Sequence, residues 1–238
     1  MGLTNLFPTP IYTIKAKGEK YEDIQHELKT VYNEVNFEHL PYAPDAHNVS
    51  TDMDGNFFKG CMLTAYKCDK FLNFLDYAVK NYVHQIENKL AQNSPSQNIE
   101  WKHELEYTIT ESWFTKTLHN QYAPYHNHGD SDISGVYYIN TNGEDGDLKI
   151  RSPHEMFVGN FMYSLITRGS EAGVKLENGV LGLWPSILHH ATNPNNTDHE
   201  RISLSFNITF ARQGTQLQSS HYHKYFDDDK ANNNPRVK

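Results

Sequence analysis

The sequence predicts an α+β fold, a jelly-roll-like barrel with N-terminal helices packed outside it. Three observations point there. The segment 17–95 holds two stretches whose apolar residues recur at helical spacing. From about residue 101 to 211 the period changes to short alternating or β-branched and aromatic runs, punctuated by Gly, Asn and Pro. Finally, 15 Tyr, 12 Phe and 3 Trp supply large apolar surfaces to a chain that is only 37% hydrophobic, enough for a full core in 238 residues. One domain over 1–212 is expected, helical over about 17–95 and barrel over about 101–211, followed by a polar tail at 213–238.

Residues 6–16 read as an edge strand, because Pro8 and Pro10 are tolerated at a strand start or sheet edge but not in a central strand. Tyr21, Ile24, Leu28, Val31, Tyr32 and Val35 share one face of a first helix. Residues 36–60, rich in Asn, Asp, Pro and Gly, read as a loop. A second helix starts near Asp69, a candidate N-cap, and carries Phe71, Leu75, Val79, Tyr82, Ile86 and Leu90 on its apolar side. After the polar break AQNSPSQN, strands are expected at 104–117, 121–128, 133–140, 146–151, 155–166, 172–176, 179–185, 187–192 and 201–210.

Composition narrows the function. A formal net charge of -8 argues against general affinity for nucleic acid, which is bound mainly through clustered Lys and Arg. Two cysteines, Cys61 and Cys68, make neither a disulfide framework nor a zinc motif and fit a reducing cytosol. The start MGLTNLFPTPIY lacks the basic and apolar regions of a signal peptide, and no apolar run reaches the ~18 residues of a membrane span. A cytoplasmic protein is expected, with no membrane or nucleic-acid partner; a homodimer stays open.

The stretch HNHGDSDISGVYYIN carries the chemistry. Side chains on a strand alternate, so His126 and His128 project to one side while Asn127 points away. By the same rule His190 shares a face with Leu188, and His189 turns outward. Three imidazoles on one side of a metal leave positions open for substrates. With fourteen histidines in the chain, an isolated HxH would be weak. The strand that follows raises its weight: Arg201, Ser203, Ser205 and Asn207 fall on one face, and Ile202, Leu204, Phe206 and Ile208 on the other. A buried guanidinium is costly without an anion, and its planar fork suits a carboxylate. The partner is either a structural Asp or Glu or the carboxylate of a ligand.

These blocks (LFPTPIY, ESWF, HNH with SGVYYI, GVLGLWPSILHHATNPNN and ERISLSFNITF) resemble the 2-oxoglutarate and Fe(II)-dependent oxygenases of marine bacteria and their phages. The resemblance runs from near the start to about residue 211. It implies a double-stranded β-helix holding Fe(II) and 2-oxoglutarate (2OG), with O2 as the second co-substrate. It places His126 as first ligand, His190 as distal ligand and Arg201 on the far carboxylate of 2OG, assisted by Ser203. This chain departs from the superfamily at the second ligand, where His128 replaces a carboxylate. Asp130, in a literal HxD with His128, is the alternative ligand or a partner orienting an imidazole.

The implied activity is a 2OG-dependent non-heme iron dioxygenase, usually a hydroxylase, acting on a small molecule or peptide. Tyr138 and Asn120 are further cofactor-binding candidates, with Tyr137 and Trp113 as possible lining, although Tyr and Trp in strands more often pack in cores. Loops 36–60 and 152–178 are where specificity is expected. Two rivals stand beside this reading. One is a cupin-like metal-binding protein that does not use 2OG, favoured if Arg201 meets a protein carboxylate. The other is a non-catalytic phage structural or binding module. DMDGNFFKG lacks most ligands of a calcium loop and reads as a turn; HYH at 221–223 reads as solvent-facing tail.

Overall fold

The computed structural model describes residues 9–39, 45–51, 61–93, 106–153, 171–174 and 177–211. The elements run β1 (Tyr12–Lys15), α1 (Gly18–Tyr32), β2 (Asn36–His39), β3 (Asn48–Thr51), α2 (Met62–Ala65), α3 (Asp69–Asn93), β4 (Tyr107–Thr117), β5 (Ile133–Asn140), β6 (Leu148–Arg151), β7 (Glu171–Val174), β8 (Val180–Pro185), β9 (His190–Thr192) and β10 (Arg201–Phe210). Seven strands form one antiparallel sheet in the order β1-β8-β5-β10-β4-β3-β2, and three form a second in the order β7-β6-β9. The two sheets are the walls of a double-stranded β-helix. None of the described helices is long and apolar enough to cross a membrane.

Alternation on β10 explains why two cores form. Ile202, Leu204, Phe206 and Ile208 join the larger apolar cluster, in which Ile24 and Leu28 of α1 and Phe71 and Leu75 of α3 cover the seven-stranded sheet. The helices therefore lie outside the barrel, as expected. Arg201, Ser203 and Asn207 are buried on the opposite face, toward a smaller cluster that includes Val136, Tyr138, Leu148, Ile150 and Trp184. Gly135 makes the crossing possible: a Cβ there would stand 2.3 Å from the Phe206 ring, which packs against Phe71 with centroids 6.1 Å apart.

The chain departs from the sequence expectation in four places. Helix α1 ends at Tyr32, so Val35 packs in the core from beyond the helix. The stretch 36–60 is not all loop, because β2 and β3 pair with each other and β3 continues onto β4. Their sequences NFEH and NVST have too little apolar alternation to announce strands; the neighbouring strand recruits them. At the start of α3, the Glu27 carboxylate of α1 accepts the backbone N–H groups of Lys70 (3.0 Å) and Phe71 (2.9 Å), a long-range cap beyond the candidate Asp69. Residues 121–128 form no strand: Tyr122 and His126 make single bridges, to Ala46 and His190. The strand expected at 155–166, the tail and the DMDGNFFKG turn lie outside the described residues.

Candidate metal centre

His126 and His190 are directly opposed across an antiparallel pair, each donating its N–H to the other's carbonyl, at 3.1 and 2.9 Å. Residues opposed in this way put their side chains on the same face. A turn at 186–187 then lets the Ser186 carbonyl accept the His128 N–H at 3.0 Å, holding the third imidazole beside the first two. Ring centroids are 4.3 Å apart for His126 and His190, 5.0 Å for His126 and His128, and 5.3 Å for His128 and His190. One ring nitrogen from each lies within 4.8 Å of the others. The order read from the sequence holds in space, although backbone bridges rather than a regular strand produce it.

Hydrogen bonds choose the nitrogen. Nδ1 of His126 lies 2.7 Å from the Pro124 carbonyl, and Nδ1 of His190 lies 2.9 Å from that of Leu188. A carbonyl only accepts, so in both rings Nδ1 carries the proton and Nε2 keeps a lone pair. Burial disfavours the charged form of all three rings. It lowers the pKa of His126, takes His128 down to about 4 with help from His126, and takes His190 down to about 3 with His126 adding. Neutral imidazoles with free Nε2 atoms are the donor set a divalent transition metal requires. The residues fit a metal.

The triad opens onto a cavity between the two sheets, walled by Trp113, Thr115, Tyr138, Trp184, Arg201 and Ser203 among others. Trp113 stands 5.7 Å from the His128 ring and Trp184 5.0 Å from His190. The indole Nε1–H of Trp184 is buried with no protein acceptor among the described residues. Burial pushes the Tyr138 hydroxyl up to about 12, with Arg201 pulling it back. Ser203 and Thr115 share a hydroxyl contact of 2.5 Å.

Arg201 is 2% exposed. Its Nη1 donates to the carbonyls of Asp145 (2.7 Å) and Gly146 (2.6 Å), and its Nη2 to the hydroxyls of Thr117 (3.2 Å) and Thr192 (3.1 Å). No carboxylate pairs with it among the described residues. The Asp145 carboxylate instead accepts from the Thr141 hydroxyl (2.6 Å) and the Asn142 N–H (3.0 Å), ordering the turn whose carbonyls face the guanidinium. The cavity thus has a buried positive end with no carboxylate paired to it among the described residues, and an imidazole cluster in the same wall.

Not every expected residue belongs to this site. Asn120 is exposed, with a φ of 64°, in the turn where its N–H reaches the Asn195 carbonyl, and it is not among the cavity's lining residues. Tyr137 faces the helices, where Phe71 packs against it, and Gln25 donates to its hydroxyl at 3.3 Å; its neighbour Tyr138 takes the cavity side. Asp130 sits exposed in the turn after Gly129 and is not one of the three clustered groups. Exposed His189 meets Asn127 at 3.2 Å, as its outward direction requires. Sequence reading missed His47, Thr117 and Thr192 on the cavity wall. For Thr117 the signal was its register, opposite Arg201 across β4 and β10. His47 had none.

A three-imidazole centre on a double-stranded β-helix, facing a pocket with a buried cation, defines a mononuclear non-heme metal oxygenase of the 2OG class. Residues 111–207 match the model of the family described as "Putative 2OG-Fe(II) oxygenase", a family that uses Fe(II), 2OG and O2. Three solved structures share the fold. An oxidoreductase of the 2OG-Fe(II) oxygenase family from Burkholderia pseudomallei is 12% identical, with 78% of this chain and 77% of that one covered and a TM-score of 0.50. HygX from Streptomyces hygroscopicus, solved with nickel, 2-oxoglutarate and hygromycin B, is 14% identical over 84% of this chain and 83% of that one, TM-score 0.50. EctD from S. alaskensis, solved with 2-oxoglutarate and 5-hydroxyectoine, is 13% identical over 84% and 72%, TM-score 0.51. No curated protein matches the chain.

Proposed function

We propose that His126, His128 and His190 hold Fe(II), the first and last through Nε2, and that 2OG lies in the adjoining cavity with its far carboxylate at the Arg201 end. The observation that carries this reading is the pairing of three convergent neutral imidazoles with a buried guanidinium that no described carboxylate neutralises. It is also what favours an oxygenase over a cupin-like protein that does not use 2OG, since such a protein has no need of an uncompensated cation in its pocket.

Bound Fe(II) supplies the redox chemistry that couples 2OG and O2 to substrate oxidation, giving succinate, CO2 and a hydroxylated product. The chain's own residues bind and orient. Pro124 and Leu188 carbonyls lock two ligand rings by their Nδ1–H groups, and Trp113 and Trp184 wall the pocket with apolar surface. Because all three ligands are neutral, the negative charge at the centre comes from the bound acid rather than from the protein, which strengthens its hold on an anionic co-substrate.

The primary substrate is a small molecule or a peptide chosen by loops 36–60 and 152–178; the entry of His47 into the cavity wall from the first of these supports that assignment. Two free thiols, Cys61 and Cys68, support a reducing cytosol, bacterial or phage-infected, as the place of work. The test is anaerobic titration of the ferrous protein with 2OG. A weak visible charge-transfer band followed by succinate once O2 is admitted is the expected result; absence of the band with wild-type protein overturns the proposal.

A further inference from the structure

The cavity has a second polar end, and the histidine triad stands between it and Arg201. Along β10, Asn207 lies about 20 Å past Arg201 at the ~3.3 Å rise of a strand residue. On the neighbouring β4, the alternate residues Trp113, Thr115 and Thr117 line the cavity, and Glu111 is the next in that row. A bulge at Thr110 sets its aim, because Asn207 pairs with Glu111 whereas Ile208 pairs with Ile109. Asn207 is 1% exposed and has one possible orientation: the Ser134 hydroxyl donates to its Oδ1 at 2.9 Å, so its Nδ2 donates to Glu111 Oε2 at 3.0 Å. Glu111 itself is exposed, and its second oxygen meets no hydrogen-bond donor among the described residues.

Charge is therefore separated along the cavity. Arg201 is the one Lys or Arg among the described lining residues. At the Glu111 end, the turn carrying exposed Asp130 is held against the bulge, with Ser131 Oγ 3.5 Å from Thr110 Oγ1. No described Lys, Arg or His forms an ion pair with Glu111. About 7 Å along the strand stands Trp113, half-buried, its ring against that of His128. A carboxylate beside an indole is a receptor for an organic cation, since the first accepts N⁺–H bonds and the second attracts the charge to its face. Resting on the reading of the triad and Arg201 given above, we propose that Glu111 and Trp113 bind a protonated amine of the primary substrate, which leaves the rest of that molecule toward the triad. Substrate and co-substrate are then sorted to opposite ends of one cavity by the sign of their charge.

Glu111→Gln separates this role from a structural one, because glutamine keeps an oxygen for the Asn207 amide and loses only the charge. The measurement is calorimetric titration of the anaerobic ferrous protein with 2OG present, using n-butylammonium and, as its neutral counterpart, butan-1-ol. Wild type should bind the ammonium about ten-fold more tightly, the effect of one charge-assisted hydrogen bond. Glu111→Gln should abolish that preference with butan-1-ol binding unchanged, Glu111→Asp should keep part of it, and Trp113→Leu should weaken the ammonium a few-fold. A capped Gly-Lys-Gly peptide run alongside distinguishes a lysine side chain from a free amine by which binds more tightly, and either result upholds the cation site. Equal binding of ammonium and alcohol by wild type overturns the assignment. So does a preference that survives Glu111→Gln, which puts the cation elsewhere on this acidic chain. The same titrations on metal-free protein, set beside the 2OG charge-transfer band, keep the two claims apart. No band with the ammonium preference intact refutes the placement of 2OG and upholds the cation site; a normal band with no preference overturns the cation site alone.

Discussion

Gly146→Ala is the substitution that tests the clasp around Arg201 most sharply. Gly146 has a φ of 100°, outside the range in which L side chains are comfortable, and a Cβ would stand 2.3 Å from the Asn193 carbonyl oxygen as well as 2.8 Å from Nη1 of Arg201. The backbone conformation alone costs about 1–3 kcal/mol. Overpacking against a backbone atom that cannot rotate away adds about 1–3 kcal/mol. Loss of the 2.6 Å bond from Arg201 to the Gly146 carbonyl adds about 1 kcal/mol more. A total of about 3–7 kcal/mol is a large share of the ~5–15 kcal/mol that holds a domain folded. Urea unfolding followed by tryptophan fluorescence is the assay, since Trp113 and Trp184 flank the site. With a slope of about 1–3 kcal/mol per molar urea, the midpoint should drop by about 1 M or more. Gly173→Ala is the control: nothing lies within 4 Å of its would-be Cβ, and its midpoint should stay near that of wild type. If Gly146→Ala unfolds with Gly173→Ala and binds 2OG as wild type does, the turn at 145–146 does not clasp the guanidinium as described.

Arg201→Met should weaken 2OG binding at least a hundred-fold and lower stability by about 2–4 kcal/mol through the stranded carbonyls of Asp145 and Gly146, while Fe(II) affinity stays within a few-fold in ferrous titration. Asp130→Asn should leave both metal and 2OG affinity unchanged, because the residue is exposed and apart from the triad; a large loss of metal would make it a ligand. In the metal-free protein, burial holds His47 and His128 down at about 4 and His190 at about 3, against about 6.5 in the unfolded chain. As pH falls below 6.5 the unfolded chain takes up protons that the folded one refuses, so stability should be full above 6.5 and decline steadily toward 4. Urea midpoints at pH 7, 6 and 5 check the sign, and His190→Asn should flatten the slope; a midpoint constant from pH 7 to 5 would contradict it.

Much of this was legible before any coordinates, and the limits have physical causes. Strand β10 was bounded correctly because it carries a long apolar alternation, and β5 because its β-branched and aromatic run is buried on both faces of the barrel wall. The two faces of β10 alone placed Arg201 and Ser203 in the cavity. The histidine triad was legible as residues, but its geometry was not: strand alternation was the stated reason, whereas mutual backbone bridging of His126 and His190 and the turn at 186–187 do the positioning. Tertiary contacts hid the rest. Strands β2 and β3 exist because β4 offers them an edge, and the Glu27 cap of α3 joins residues over forty positions apart. Asn120, a cofactor-binding candidate, lies instead in a left-handed turn off the cavity wall. Two partners of Arg201 were beyond sequence reading, since they are backbone carbonyls, which every residue carries.

Iron K-edge X-ray absorption on the anaerobic ferrous protein with 2OG measures the ligand set directly. Outer-shell scattering from three imidazoles is expected in wild type, falling to two in His126→Ala, His128→Ala or His190→Ala. Two imidazoles in wild type, or a count unchanged by any of the three substitutions, would contradict a three-histidine iron centre.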